Sequence, residues 1–191
     1  MDVPAALVRE LRALTGAGVL DCRNALVESG GDLQKAVELL RAKGLVTAQK
    51  KATREAREGL IEAYIHQGGR LGVLVEVNCE TDFVSRTEDF KRLAHDLAMQ
   101  IAASAPRYIS REEIPPEVEE EQRRLFRIEA KGDEAVAEAM WERWVRENCL
   151  LEQPFIRDES RRVQEVIAEA VAKVGENILV RRFARFKLGE P

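Results

Sequence analysis

The sequence is poor in the residues that build metal sites and disulfide frameworks. It has three cysteines, Cys22, Cys79 and Cys149, and two histidines, His66 and His95, among 191 residues. Isolated histidines without cysteines or carboxylates at ligand spacing predict no metal site. An odd number of widely spaced cysteines favours free thiols in a reducing cytoplasm over disulfides. We therefore expect no cofactor.

Long apolar runs and catalytic motifs are absent as well. No stretch approaches a membrane span, and the N-terminus lacks a basic segment followed by an apolar one. There is no P-loop, and Gly16-Ala17-Gly18 lacks the third glycine of a dinucleotide fingerprint. Two isolated histidines cannot complete a Ser-His-Asp or Cys-His arrangement. The sequence thus predicts neither an enzyme nor a membrane protein.

The charge balance argues against a general nucleic-acid binder but allows a local basic patch. The net charge is −4, with 45% hydrophobic and 34% charged residues, enough apolar material for a core under a well-solvated surface. Lys50, Lys51, Arg54 and Arg57 form a basic run. Such a run is usually a solvated connector; attraction to an acidic partner and contact with RNA are the alternatives. No aromatic residues lie between these basic residues to stack on bases, which argues against binding of single-stranded RNA.

Residues 1–45 have the pattern of three short helices. Pro4 can open the first, Gly30-Gly31 ends the second, and Asp32 caps a third that we expect to end at Gly44. Three amphipathic helices make a small bundle similar to a ubiquitin-associated-type (UBA-like) module, a fold used mostly for docking. Residues 46–58 then form a basic linker to a core domain over residues 59–191.

The core domain begins with a predicted β-hairpin. One strand covers Gly59 to His66, and residues 67–70 form its turn. The second strand shows period-two alternation of Leu71, Val73, Val75 and Val77, typical of a sheet with one buried face. A polar turn follows over residues 78–82. Ser85 and Glu88 then fit a capping box for a helix with one apolar stripe, formed by Phe90, Leu93, Leu97 and Ile101.

The rest of the domain predicts a helical hairpin, a further helix and a closing strand. Two charged helices joined at Gly132-Asp133 form a protruding hairpin at about 112–150, with Trp141 and Trp144 in its seam. A strongly amphipathic helix covers Glu159 to Val174, and a strand begins near Glu176. The fold class is therefore α+β, with a three-stranded antiparallel sheet packed with helices.

Asp82 and Phe83 lie where a strand hands over to a helix, and two interpretations compete for them. In the structural one, Asp82 or Ser85 caps the helix and Phe83 plugs its first turn, because loop aromatics next to a helix usually pack inward. In the functional one, an acid and an aromatic at the tip of a rigid element contact another molecule.

Several stretches resemble one protein family. Asn78-Cys79-Glu80-Thr81-Asp82-Phe83-Val84 is similar to the signature of bacterial elongation factor Ts, and the remaining matches are Thr15 to Cys22, the hairpin from Tyr64 to Val75, Cys149 to Phe155, and Glu176 to Phe183. Many members carry two methionines where this chain has Val19 and Leu20. Because short members have one core body where longer relatives have two similar halves, we expect a homodimer with an isologous interface.

The resemblance implies an exchange factor that promotes GDP release from elongation factor Tu, bound in its nucleotide-free or GDP form. Phe83 would wedge between helices of this partner and Asp82 would bond nearby, flanked by Thr81 and Val84. The turn and helix with Gly18, Val19, Leu20 and Arg23 would lie against its nucleotide-binding domain, although Val19 and Leu20 could instead be bundle core. The charge of the basic run, and not the resemblance, makes Lys51 a candidate for contact with an acidic partner surface. The alternative is a non-exchanging docking adaptor or scaffold with RNA affinity.

Overall fold

The computed structural model describes residues 3–190, and it confirms an α+β fold. The helices are α1 (Ala5–Thr15), α2 (Val19–Glu28), α3 (Leu33–Lys51), α4 (Asp82–Ser85), α5 (Glu88–Ser104), α6 (Pro116–Glu129), α7 (Glu134–Asn148) and α8 (Val163–Val174). The strands are β1 (Glu58–Ile65), β2 (Leu71–Cys79), β3 (Pro154–Phe155), β4 (Asp158–Arg162) and β5 (Ile178–Lys187).

Two sheets are present in this range. The predicted three-stranded antiparallel sheet has the order β1-β2-β5. A second, two-stranded sheet pairs β3 with β4, with Pro154 opposite Arg162 and Phe155 opposite Asp158. This small sheet has no signal in the sequence, because its strands are two and five residues long and carry no alternating apolar pattern.

The described residues divide into two compact units. The first comprises residues 3–61, 76–94 and 165–181, and the second comprises residues 62–75, 95–164 and 182–190. The three N-terminal helices lie in the first unit, together with α4. The predicted domain boundaries at residues 45 and 58 stay a prediction.

The N-terminal helices of the first unit share a small core of their own. Its buried members come from all three helices: Val8, Leu11, Cys22, Ala25, Leu26 and Ala36. Asp32 caps α3 as predicted, since its carboxylate accepts a hydrogen bond from the backbone amide of Lys35 at 3.1 Å. Gly16, in the left-handed region at φ 68°, ends α1.

The prediction that α3 ends at Gly44 is wrong. The helix continues to Lys51, so residues 46–51 of the predicted linker are helical. Gly44 is buried, and a Cβ built there would lie 3.7 Å from the carbonyl oxygen of Ala168 on α8. The glycine therefore marks a close approach of two helices rather than a helix end, and packing against α8 overrides its low helix propensity.

The helical hairpin lies in the second unit, where α6 and α7 pack against each other through the predicted tryptophan seam. Trp141 is almost fully buried and its ring stacks on Trp144, with centroids 5.2 Å apart. The guanidinium of Arg123 lies 4.5 Å from the centroid of Trp141 on the ring face. Ile114, Val145 and Cys149 complete this cluster.

The last helix begins later than predicted. Residues 159–162 belong to β4, and α8 starts at Val163, which is fully buried. Val163 is also the first residue of the helix's apolar stripe, so the amphipathic pattern located the helix but not its first residue. The helix ends at Val174 as predicted, and Gly175 follows it at φ 79°.

Residues 3–190 lack two features. None of the helices in this range is both long and apolar enough to cross a membrane. In the same range, no three side chains of His, Cys, Asp or Glu come together in a way that could hold a metal ion.

Candidate functional site

The strand-to-helix corner after β2 is built from a four-residue helix, α4, followed by a second helix start. The hydroxyl of Thr87 donates to the carbonyl of Val84 at 2.7 Å and accepts from the amide of Phe90 at 3.3 Å. Thr87 therefore caps α5, and the predicted capping box at Ser85 is wrong. The Ser85 hydroxyl instead donates to the carbonyl of Asp82 at 2.8 Å, inside α4.

Phe83 points away from its own molecule. Its relative exposure is 76%, whereas that of Val84, the next residue, is 5%. Val84 thus anchors α4 and leaves the aromatic ring in solvent. The interpretation of Phe83 as a plug under the helix is wrong, because the inward-facing position is taken by Val84.

Asp82 lies beside this ring and carries an ion pair within α4 and its C-cap. Its carboxylate is 2.6 Å from the guanidinium of Arg86, and both side chains are largely exposed. A solvent-exposed i,i+4 pair adds only about 0.3–0.5 kcal/mol, so a competing partner could break it at little cost. The acid is consequently available for an intermolecular bond.

Thr81 is fixed by a residue that the sequence analysis did not single out. Its backbone amide donates to one carboxylate oxygen of Glu176 at 3.0 Å, and its hydroxyl donates to the other at 2.6 Å. The two residues are 95 positions apart, so no local pattern in the sequence could have paired them. Only the resemblance of the stretch from Glu176 to Phe183 pointed to this region.

The buried thiol of Cys79 belongs to the same corner. Burial, and next the nearby carboxylate of Glu176, raise its pKa to about 11. The thiol donates a hydrogen bond to the carbonyl of Thr81 at 3.1 Å. A protonated thiol shielded from solvent is a poor nucleophile, so Cys79 has a structural role here.

The second set of candidate residues lies at the start of α2. Gly18 is the N-cap, and Val19, Leu20 and Arg23 are all exposed, Leu20 by 68%. The interpretation of Val19 and Leu20 as bundle core is therefore wrong, because Cys22, Ala25 and Leu26 fill the inward positions of this helix. Two adjacent exposed aliphatic side chains on a short helix form an apolar contact point.

Lys51, the last residue of α3, is half-buried. Its ammonium group donates to the carbonyl of Gly175, at the C-terminal end of α8. A cation at this position satisfies a free helix carbonyl and complements the helix dipole. This geometry gives Lys51 a role within the first unit, and any bond to a partner would have to replace it.

Comparisons with known proteins agree with one another. The family model described as "Elongation factor TS" matches residues 33–190. The chain is 52% identical to the elongation factor Ts of Caldanaerobacter subterraneus subsp. tengcongensis, with 98% of each chain covered. It is 53% identical to that of Moorella thermoacetica, with 98% of this chain and 96% of the relative covered. For Thermodesulfovibrio yellowstonii the identity is 52%, over 100% of this chain and 98% of the relative.

Proposed function

Because the chain belongs to the elongation factor Ts family, we propose that it is a guanine-nucleotide exchange factor that promotes GDP release from elongation factor Tu during translation in the cytoplasm. In this proposal the chain binds the nucleotide-free or GDP form of the partner, uses no cofactor and catalyses no covalent step. It does not contact membranes or specific nucleic acids.

The observation that carries the proposal is the exposed ring of Phe83 on an anchored corner. Large aromatic side chains that are buried only on binding are typical hot spots, and truncating one costs roughly 2 kcal/mol or more. Here the backbone under the ring is held by Val84 and Ser85, both buried. Because this backbone is anchored, the Phe83 ring can insert into a partner without folding back onto its own surface.

Linkage explains how such a wedge would release GDP. If the chain binds the distorted, nucleotide-free partner more tightly than the GDP form, it must weaken GDP binding by the same factor. The ring of Phe83 would favour the distorted form by filling a space that exists only there, and Asp82 would add a hydrogen bond beside it. Thr81 and Val84, the residues on either side of Asp82 and Phe83, would hold the backbone of this contact in place.

The start of α2 supplies a second contact in this proposal. The exposed side chains of Val19 and Leu20 would bury apolar area on the nucleotide-binding domain of the partner, with Gly18 allowing close approach and Arg23 at the margin. The three-helix module would therefore dock, while the corner with Phe83 would act on the nucleotide site. Lys51 would contribute positive charge near an acidic partner surface.

A homodimer is part of the proposal and rests on the open face of the sheet. In the second unit, Ile65, Leu74 and Phe186 are exposed apolar residues that line one shallow cavity of about 610 Å³. Phe186 alone is 69% exposed. An exposed apolar patch of this kind usually marks an interaction surface. In a symmetric dimer each chain would cover this patch on the other.

Release of a fluorescent GDP analogue from elongation factor Tu tests the exchange function. The chain should accelerate release when present well below the concentration of the partner, because an exchange factor turns over. Excess GDP and magnesium should weaken its binding. A docking adaptor would bind regardless of nucleotide and leave the release rate unchanged, and an RNA-binding scaffold would show a steep salt dependence toward RNA.

A further inference from the structure

The corner that carries Phe83 is held from outside by the loop between α8 and β5, residues 175–177. We propose that Glu176 is a positioning residue: its carboxylate clasps Thr81 and so fixes the direction in which Phe83 is presented. This inference rests on the proposed function, since presenting a ring matters only if a partner receives it.

The clasp is bidentate. One carboxylate oxygen of Glu176 accepts from the backbone amide of Thr81 at 3.0 Å, and the other accepts from its hydroxyl at 2.6 Å. Hydrogen bonds to an ionised acceptor are shorter and roughly twice as strong as neutral ones. Because one of the two donors is the main chain, the bond fixes the backbone of the corner and not merely a side chain.

The short helix α4 needs such an external support. It has only four residues, and Thr81 at its N-cap makes no side-chain capping bond to the helix. A single turn of helix is unfavourable alone, because fixing its dihedral angles yields few hydrogen bonds. The hydroxyl that would ordinarily cap the helix is instead committed to Glu176.

The loop that carries Glu176 is itself anchored. The backbone amide of Asn177 donates to the carboxylate of Glu80 at 2.6 Å, which returns a bond from the loop to the corner. The buried side-chain amide of Asn177 donates to the carbonyl of Arg54 at 2.8 Å. Lys51 bonds the carbonyl of Gly175. The loop therefore ties the end of α3 to the corner that bears Phe83.

These contacts place both candidate contact elements of the first unit on one connected framework. α3 is the last helix of the three-helix module, and its final residue, Lys51, is bonded to Gly175. The same loop, residues 175–177, also holds Glu80 and Thr81. Docking of the module can thereby fix where the ring of Phe83 arrives. Loss of the Glu176 carboxylate should misdirect the ring of Phe83, although no residue of the contact surface is itself substituted.

The test is a double-mutant cycle on Thr81 and Glu176. We expect Glu176→Ala to lower kcat/KM for stimulated GDP release about tenfold, as for the loss of a charge-assisted hydrogen bond. Thr81→Val should lower kcat/KM by less, because the bond from the Thr81 backbone amide remains. The double variant Thr81→Val/Glu176→Ala should be no worse than Glu176→Ala, because Glu176→Ala already removes the one bond that Thr81→Val removes.

A control variant distinguishes a positioning role of Glu176 from a general loss of stability. A second measurement tests the clasp without using GDP release. Glu142→Ala removes another bidentate carboxylate pair, to Arg111 at 2.7 and 2.8 Å, and should leave exchange unchanged. Hydrogen exchange of the Thr81 amide, measured by NMR on the chain alone, should accelerate in Glu176→Ala and not in Glu142→Ala.

Unchanged exchange kinetics in Glu176→Ala, with an active original chain, would overturn the clasp and leave the proposed function intact. Equal loss of exchange in Glu142→Ala would overturn it too. If the original chain does not accelerate GDP release from elongation factor Tu, the proposed function has failed. Protection of the Thr81 amide from hydrogen exchange alone then decides whether the clasp exists.

Discussion

Phe83 and Val84 are consecutive residues of α4, yet the first is 76% exposed and the second 5%. Burial of the Val84 side chain stabilises the fold and anchors this helix turn to the rest of the first unit. Phe83 contributes little to that stability, because its ring remains in water. The sequence therefore retains a large aromatic residue at a position where the fold alone does not require one.

Two glycines provide opposite predictions for stability. Gly44→Ala should raise the free energy of unfolding by about 0.5–1 kcal/mol, because alanine is the better helix former and its Cβ would meet Ala168 at an ordinary 3.7 Å.

Gly59→Ala should lower the free energy of unfolding by roughly 3 kcal/mol or more. Gly59 has φ +143°, and a Cβ there would lie within 2.1 Å of the carbonyl oxygen of Val77.

Urea denaturation of the two variants measures both effects. The midpoint of unfolding should rise for Gly44→Ala. A lower midpoint would mean that α3 and α8 cannot accommodate even one methyl group. A mild effect at Gly59 would contradict the close approach of β1 to β2.

The open sheet face predicts a change of mass in solution. Light scattering should give twice 21.5 kDa for the original chain, and Phe186→Glu should shift the mass to that of a monomer, because a buried unpaired charge opposes association. Phe83→Glu is the matched control, since it alters an aromatic residue that is similarly exposed but lies outside the sheet, and it should keep the dimer mass. A monomeric original chain would end the homodimer proposal.

The raised pKa of Cys79 predicts a loss of stability at alkaline pH. The thiol has an ordinary pKa of 9.0 when unfolded and about 11 when folded. Its stabilising contribution is complete below pH 9 and is lost as the pH rises toward 11, because only the unfolded chain then releases the proton. At pH 10.5 this loss amounts to roughly 2 kcal/mol for this one thiol.

Comparison with Cys79→Ala isolates this contribution from other groups that titrate in the same range. The free energy of unfolding should fall more steeply between pH 8 and 10.5 in the original chain than in the variant. Parallel pH dependences for the two proteins would show that the thiol has the same proton affinity in both states.

Local periodicity was enough to locate most of the core. The alternation of Leu71, Val73, Val75 and Val77 predicted a strand with one buried face. The three valines are buried, and Leu71, at the start of the strand, is half-buried. The helical stripe Phe90, Leu93, Leu97 and Ile101 is buried as well. In both cases the residue pattern repeats with the period of its own element, so the prediction needs no knowledge of the rest of the chain.

The features that the sequence missed depend on contacts between distant residues. The end of α3 was misplaced because Gly44 is stabilised in the helix by α8, more than a hundred positions away. The clasp between Thr81 and Glu176 spans 95 positions. The exposure of Phe83 could not be derived from local pattern either, since Val84 is an equally apolar candidate for the inward position. Resemblance to a family named these residues without giving their geometry.

The measurement that tests the central claim is release of a fluorescent GDP analogue from elongation factor Tu, followed by stopped flow with the original chain and with Phe83→Ala. Ile156→Ala, which shortens an exposed aliphatic side chain in the second unit, is the control. We expect Phe83→Ala to slow stimulated release by roughly 30-fold, as for a hot-spot truncation of about 2 kcal/mol, with an unchanged melting temperature. Release at the original rate by a folded Phe83→Ala variant would contradict the account.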